Sequence, residues 1–169
     1  MSSIYYSGSI SKKEYSSAIR AHFNQQLKWV KMVFGVILSI LVLALIVTFL
    51  QYPSILQYFF PGMLFPFIIL TFPWWTPLLQ ASSYDKKGNI YRKPIHGVID
   101  ETEIIISGEE TMSKFLWNAF SSYKKVDDLI LVYQGKNQMN IFSKKLFGTE
   151  EEWKQFEDLL KSKLSSQHS

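Results

Sequence analysis

The segment MVFGVILSILVLALIVTFL, Met32–Leu50, restricts what the rest of this chain can be. Nearly all of its 19 residues are apolar, and Ser39 and Thr48 carry its only hydroxyl groups. An α-helix rises about 1.5 Å per residue, so the segment spans roughly 28 Å, which matches the hydrocarbon core of a bilayer. We therefore predict a transmembrane helix over residues 32–50.

The absence of charge continues well beyond this segment. No Asp, Glu, Lys or Arg occurs from Met32 to Tyr84, a run of 53 residues. Since about 20 apolar residues cross a bilayer, the run has room for two crossings and a short turn. We place the turn at residues 51–54 and a second transmembrane helix at about residues 58–79. Residues 32–79 would then form a helical hairpin.

The second of these helices contains FPGMLFPFIILTFPWWTPLL, residues 60–79, with four prolines. Proline removes one backbone hydrogen bond and usually kinks a helix. Pro61 falls at the helix start, where this loss matters little, and Pro73 and Pro77 lie near the other end. Only Pro66 is interior, so we predict a full crossing with one kink there. The alternative is a re-entrant segment that turns back.

Basic residues flank the apolar region on both sides. Residues 1–31 carry a net charge of +4, and Lys86, Lys87, Arg92 and Lys93 follow the region. The predicted turn between the two helices has neither Lys nor Arg. Because Lys and Arg favour the cytoplasmic side, we expect a multi-pass protein of the bacterial inner membrane with both termini in the cytoplasm.

Residues 1–31 are predicted to hold a short strand and an amphipathic helix beside the membrane. The strand is IYYSGSI, residues 4–10, and it would add to the sheet of the soluble domain if both lie on the same side. Ser11 and Glu14 have the spacing of a capping box, which starts the helix. Apolar residues then recur at spacings of three and four. This stripe either packs on the soluble domain or lies on the lipid surface.

Residues 85–165 are predicted to form a soluble domain that ends in a helix. Five runs have the length and composition of strands, and short turns separate several of them. They are Ile95–Asp100, Glu103–Ser107, Thr111–Trp117, Asp128–Gln134 and Gln138–Ser143. We expect one antiparallel meander, with a single helical turn in the gap 118–127. Thr149 and Glu152 form a second capping box, which starts a helix over about residues 150–164.

Three pieces of this sequence together resemble the YcxB-like family of bacterial membrane proteins. They are the hairpin followed by a basic linker, Trp117 within SKFLWNAFSSYKKVDDLILVY, and the ending NIFSKKLFGTEEEWKQFEDLL. The resemblance covers mainly residues 85–164. It implies two transmembrane helices and a C-terminal PH-like domain, a curved antiparallel sheet closed by a helix. It implies no catalytic residues. A proline often precedes the basic pair in this family, where this chain has Ser143.

Several function classes find little support in the sequence. The chain has no cysteine, its three histidines are far apart, and no phosphate-loop motif occurs. We therefore expect no metal and no cofactor. Residues 85–169 are electrically neutral, which argues against nucleic-acid binding. Asp127 and Asp128 are interpreted as turn residues rather than a catalytic pair. The apolar region holds no ionisable residue, which disfavours transport.

Two groups of residues are candidates for contacts. Basic residues that could contact lipid or a partner are Lys86, Lys87, Arg92, Lys93, Lys124, Lys125, Lys144 and Lys145. If the last two strands pair, the second four fall at one end of the sheet and Lys136 falls at the opposite tip. Alternatively, these lysines only keep a sheet edge solvated. Gly35 and Ser39 form a small-xxx-small pair that would let another helix approach.

The sequence thus predicts an α+β membrane protein, a two-helix hairpin followed by a small PH-like antiparallel domain that a C-terminal helix closes. We expect a non-enzymatic protein whose cytoplasmic domain contacts a protein partner or lipid headgroups. The alternative is a structural or accessory subunit of a homo- or hetero-oligomeric membrane assembly. An enzyme that acts at the membrane is a third, less supported interpretation.

Overall fold

The computed structural model describes residues 3–51, 56–109, 111–135 and 138–165 of the chain. Two compact units are present. Unit 1 comprises Met1–Ala18 and Ser82–Ser169, and unit 2 comprises Ile19–Ala81. This division differs from the predicted one, in which residues 1–31 were a separate region. The N-terminal strand and the start of the first helix belong to the same unit as the C-terminal domain.

The described residues of unit 1 form two antiparallel sheets. The first has the order β1-β2-β3-β4 and the second the order β5-β6-β7. The strands of the first sheet are β1 Ile4–Gly8, β2 Ile95–Ile99, β3 Glu103–Ser107 and β4 Met112–Leu116. Those of the second are β5 Ser122–Val126, β6 Leu129–Tyr133 and β7 Met139–Ser143. The α+β class with antiparallel sheets and a C-terminal helix is confirmed.

Strand β1 joins two parts of the chain that the apolar region separates. It pairs with β2 in antiparallel register, with Ile4 opposite Ile99 and Tyr6 opposite Gly97. Side chains alternate along a strand, and Ile4 and Tyr6 are buried while Tyr5 is 65% exposed. The N-terminal strand is therefore a component of the domain's sheet, as the sequence predicted.

The expectation of one meander with a helical turn at residues 118–127 is wrong in part. A short 3₁₀ turn is present at Trp117–Ala119, but Ser122–Val126 is a strand, β5, and the sheet breaks between β4 and β5. The sequence SYKKV has too few apolar residues for a clear strand pattern. It forms a strand because a two-residue turn folds it onto β6, with Val126 opposite Leu129. The turn interpretation of Asp127 and Asp128 is confirmed, since they are the two residues of this turn.

The core of unit 1 lies between the sheets and helix α4, Glu150–Ser165. The predicted capping box is present, because Glu152 N–H donates to Thr149 Oγ1 at 3.1 Å. The face of α4 that carries Trp153, Phe156, Leu159, Leu160 and Leu164 is buried. Phe156 lies 5.0 Å from Phe142 of β7, ring centre to ring centre. This face fixes α4 to the domain, as its spacing predicted.

Strand β6 is buried on both faces. Leu129, Ile130, Leu131 and Val132 are each 4% exposed or less. Consecutive side chains of this strand are therefore buried, whereas a strand with one face in water would alternate. Burial of consecutive residues requires a cover on each face of the sheet. Helix α4 contributes to this cover, since it packs on β7 through Phe156 and Phe142.

Unit 2 is helical. Helix α1, Lys12–Gln26, runs into it from unit 1, and α2, Lys28–Gln51, and α3, Leu56–Ala81, contact each other. Among the described residues, α2 is the helix whose length and composition suit a membrane crossing, and none of its residues is buried. Helix α3 continues through its prolines without a break, so the chain does not turn back within it. The predicted turn lies largely outside the described residues.

Candidate functional site

The segment that follows α3 is a folded linker rather than a flexible one. Residues Ser82–Asp85 and Ile90–Arg92 are 3₁₀ turns. Asn89 joins them, because its Oδ1 accepts from the Tyr91 N–H at 2.9 Å and its Nδ2 donates to the Ser83 carbonyl at 3.2 Å. A short polar side chain in this position stabilises a local turn. The linker therefore holds its basic residues in defined places.

Tyr91 anchors the linker to the second sheet. Its hydroxyl accepts a hydrogen bond from the Ile141 N–H of β7 at 3.0 Å. Burial raises the pKa of Tyr91 to about 12, so the phenol stays neutral at physiological pH. Tyr15 of α1 packs at 5.9 Å from the same ring. The sequence offered no signal for this role, since nothing distinguishes Tyr91 from an exposed tyrosine.

A groove of about 580 Å³ opens beside this anchored linker. One wall comes from the linker and the other from the turn between β3 and β4. The lining residues include Lys87, Asn89, Ile90, Arg92, Lys93, Glu109 and Thr111. Among the described lining residues, three side chains are basic and one is acidic, so these residues carry an excess of positive charge. Its second wall was not predicted as part of any site.

The basic side chains of the groove are only partly neutralised. Lys93 pairs with Glu109 at 2.6 Å, and both side chains are about half exposed. Arg92 donates from Nη1 to the Asp85 carbonyl at 3.4 Å, and no carboxylate of the described residues pairs with it. Within the described residues no ion pair involves Lys87. The groove can therefore attract an anionic group.

The other four predicted lysines lie elsewhere, at one end of the second sheet. The strand register brings Lys124 and Lys125 to the end from which Lys144 and Lys145 leave β7, as expected from the pairing. Each of the four interacts with a partner. Lys125 pairs with Glu157 at 2.5 Å and Lys144 with Glu150 at 2.6 Å. The Glu150 hydrogen bond raises the pKa of Lys144. Lys136 lies outside the described residues.

Lys145 approaches the carboxylate of Glu14, which the sequence identified only as a helix cap. The Glu14 Oε2 accepts from Ser11, which confirms the capping box, and Oε1 accepts from Ser143 Oγ at 2.7 Å. Lys145 lies 3.3 Å from the same Oε1. Burial opposes ionisation, but the bonds from Ser11, Ser143 and Lys145 outweigh it and lower the pKa of Glu14 to about 2. Ser143 thus makes a bond that a proline could not.

Trp117, which helped to define the family resemblance, is buried and makes a hydrogen bond to the backbone. Its indole N–H donates to the Asp100 carbonyl at 2.9 Å, and the side chain is 6% exposed. The Asp100 carboxylate accepts from Thr102 and Glu103, and the bonds from Thr102 lower its pKa. The described residues contain no group of three or more metal-binding side chains. The Asp100 carboxylate stabilises the turn between β2 and β3 through its bonds to Thr102 and Glu103.

The small residues of α2 face away from the rest of the described chain. Ser39 Oγ donates to the Gly35 carbonyl at 2.9 Å within its own helix. No described atom lies within 4 Å of the place where a Gly35 side chain would begin, so α3 does not use this pair. Leu38, Ser39, Val42, Leu43 and Ile46 line a shallow groove of about 380 Å³ on this helix. The role of this pair in helix packing stays a prediction.

Comparison with known proteins bears on the C-terminal part of unit 1. Residues 99–160 match the family described as YcxB-like protein. The resemblance recognised in the sequence is therefore confirmed over β3 to β7 and most of α4, including Trp117. Neither a curated protein nor a solved structure matches the chain.

Proposed function

We propose that this chain, whose residues 99–160 are YcxB-like, is a non-enzymatic protein anchored in the bacterial inner membrane. In this account α2 and α3 cross the bilayer as a hairpin. Unit 1 is a PH-like domain in the cytoplasm, where it serves as an interaction module for a protein partner or for lipid headgroups.

The observation that carries this proposal is the pairing of β1 with β2. These strands precede and follow the apolar helices, so the hairpin is an insertion within one sheet. Two hydrogen-bonded strands must lie on the same side of a membrane. The chain between them therefore crosses an even number of times. If α2 crosses, a second segment must return, and α3 has 26 residues with which to do so.

The surface of α2 supports the membrane environment. The helix has no buried residue, and Leu43 and Leu50 are 63% and 74% exposed. Soluble proteins rarely expose a continuous apolar surface of this kind. The hydroxyls of Ser39, Thr71 and Thr76 donate to carbonyls of their own helices, which satisfies them without water. A core helix of a soluble domain would instead be covered by other elements.

The direct test is extraction of membranes that contain the full-length chain. Washing with sodium carbonate at high pH strips peripheral proteins and leaves integral ones in the bilayer. We expect the chain to remain with the membrane pellet and to enter solution only with detergent. Release by carbonate would contradict the anchor, since a hairpin that crosses the hydrocarbon core cannot leave it under these conditions.

A second candidate function is a structural or accessory subunit of a membrane assembly. The open space at Gly35 favours it, because small residues on an uncovered helix face allow close helix packing. Gly35→Leu should then abolish cross-links between copies, or between this chain and a partner, formed in intact membranes. Val47→Leu, on the same helix but outside this pair, is the matched control. Equal cross-linking in all three proteins would exclude contact through Gly35.

A further inference from the structure

We infer that the groove between the linker and the β3–β4 turn binds the phosphate of an anionic lipid headgroup. This inference rests on the proposed membrane anchor and makes it specific. It selects one of the two predicted groups of basic residues and assigns the ligand class that the groove would take. Neither the family match nor the resemblance assigns such a site.

The two groups of basic residues differ in how many of their side chains are paired with a carboxylate, and this difference favours the groove. Lys87 and Arg92 have no carboxylate partner among the described residues, whereas Lys125 and Lys144 each contact one within 2.6 Å. A carboxylate that pairs with a lysine offsets its positive charge, so the lysine attracts a phosphate less strongly. The groove keeps two uncompensated cations beside the paired Lys93 and Glu109. Guanidinium and ammonium groups together are well suited to phosphate oxygens.

The polar groups of the groove match a headgroup rather than a bare ion. Asn89 and Thr111 line it together with the cations, and Ile90 contributes an apolar side chain that is 41% exposed. A phosphodiester with glycerol on one side and acyl chains on the other presents these same kinds of surface. The Tyr91 anchor keeps the linker wall in place. Less ordering is therefore required when the ligand binds.

The chain also limits how far this groove can be from the apolar helix. Helix α3 ends at Ala81, and Lys87 is the sixth residue after it. An extended chain covers at most about 3.5 Å per residue, so roughly 20 Å separates them at most. If α3 crosses the bilayer, the groove stays within reach of the headgroup layer. Basic residues in that layer gain from anionic lipid.

A zwitterionic lipid would fit the same groove less well. The choline of phosphatidylcholine brings its own positive charge close to Lys87 and Arg92. Phosphatidylglycerol brings a phosphate with a net negative charge and a neutral glycerol. The groove should therefore prefer phosphatidylglycerol over phosphatidylcholine, and this preference should depend on its two uncompensated cations.

Native mass spectrometry of the full-length protein in detergent, titrated with each lipid, measures this preference. We expect the wild type to retain phosphatidylglycerol more strongly than phosphatidylcholine. Lys87→Gln with Arg92→Gln should weaken phosphatidylglycerol binding roughly 25-fold, about fivefold for each basic residue. Lys125→Gln with Lys144→Gln removes the same charge from the paired group and should leave binding within about threefold. Lys87→Gln alone should give about a fivefold loss with the fold intact.

Three results would overturn the inference. They are equal retention of the two lipids by the wild type, an equal loss in both double variants, and displacement of phosphatidylglycerol by glycerol 3-phosphate at equal concentration. The last result would assign the groove to a soluble phosphate compound. Carbonate extraction of the same proteins distinguishes failure of the groove inference from failure of the proposed membrane anchor. An anchored protein without lipid preference refutes only the groove, whereas release of the wild type refutes the anchor.

Discussion

At the scale of single residues, Glu14 joins three parts of unit 1. Its carboxylate caps α1 through Ser11, and it reaches Ser143 at the end of β7 and Lys145 just after that strand. The capping role follows from local spacing and was predicted. The long-range contacts were not, because Glu14 and Ser143 are 129 positions apart in the chain. Local patterns carry no information on such a pair.

The charge of Glu14 should make the stability of unit 1 depend on pH. The folded state lowers the pKa of Glu14 from 4.5 to about 2, so the ionised carboxylate stabilises the fold above about pH 4.5. This contribution is lost as the pH falls through about 2. Glu14→Gln should lower the free energy of unfolding by about 1–2 kcal/mol at pH 7. Thermal unfolding of both proteins in detergent at several pH values measures this loss of stability.

The matched control is Glu151→Gln, since Glu151 lies in the exposed first turn of α4. It should change the unfolding midpoint little at any pH. The gap between wild type and Glu14→Gln should narrow as the pH approaches 2. A gap that stays constant over this range would show that shape rather than charge at Glu14 stabilises the fold.

Gly97 is the position where the sheet tolerates no side chain. A Cβ there would lie 1.9 Å from the Ile105 carbonyl oxygen and 2.5 Å from the Tyr6 hydroxyl. That hydroxyl donates to the same carbonyl at 2.9 Å, across the face of Gly97. Gly97→Ala should therefore cost about 3 kcal/mol or more, because the backbone must shift. The fraction of folded full-length protein and its thermal midpoint report this loss.

Gly108→Ala is the control for this change. The nearest atom to its added Cβ would be Thr111 Oγ1 at 3.5 Å, an ordinary contact. We expect a shift of less than about 1 kcal/mol for this variant. Similar stability in the two alanine variants would mean that Tyr6 does not cross the sheet in the way described.

At the scale of elements, periodicity predicted those that bury one face. Helix α4 and strand β1 have clear spacing of apolar residues, and both form where expected. Strand β5 was missed because partner strands and a turn, rather than its own composition, hold it in the sheet. The division into two sheets was missed for the same reason. Sheet order depends on contacts between distant strands, which a single sequence does not display.

The candidate contact residues illustrate the same limit. Sequence indicated all eight basic residues as equivalent candidates. Only the fold brings carboxylates next to Lys125 and Lys144 and leaves Lys87 without one among the described residues. The acidic partners Glu150 and Glu157 were predicted as parts of a helix. Their orientation toward lysines of the sheet follows from how α4 packs.

Strand β1 should contribute measurably to the stability of unit 1. Ile4 is 5% exposed and lies opposite Ile99 in the sheet. Ile4→Ala leaves a cavity in this buried face and should cost about 2–4 kcal/mol. Tyr5→Ala, at an adjacent position that is 65% exposed, should cost much less. If the two variants unfold at the same temperature, β1 is not held in the sheet.

At the scale of the whole molecule, the apolar helices α2 and α3 lie in the chain between the first two strands of unit 1. The segments before and after these helices both contact β7, through Glu14 and Tyr91. Because β1 precedes these helices and pairs with β2, which follows them, a single cut in the chain would not separate them from unit 1.

Cysteine labelling in intact and permeabilised cells tests the central claim most directly, because the chain has no cysteine of its own. Ser3→Cys, Lys154→Cys and Gln51→Cys place single thiols before β1, in α4 and at the end of α2. With a membrane-impermeant maleimide, we expect Gln51→Cys to react in intact spheroplasts and the other two only after permeabilisation. Labelling of Ser3→Cys and Lys154→Cys from opposite sides, or protection of all three, would contradict the account.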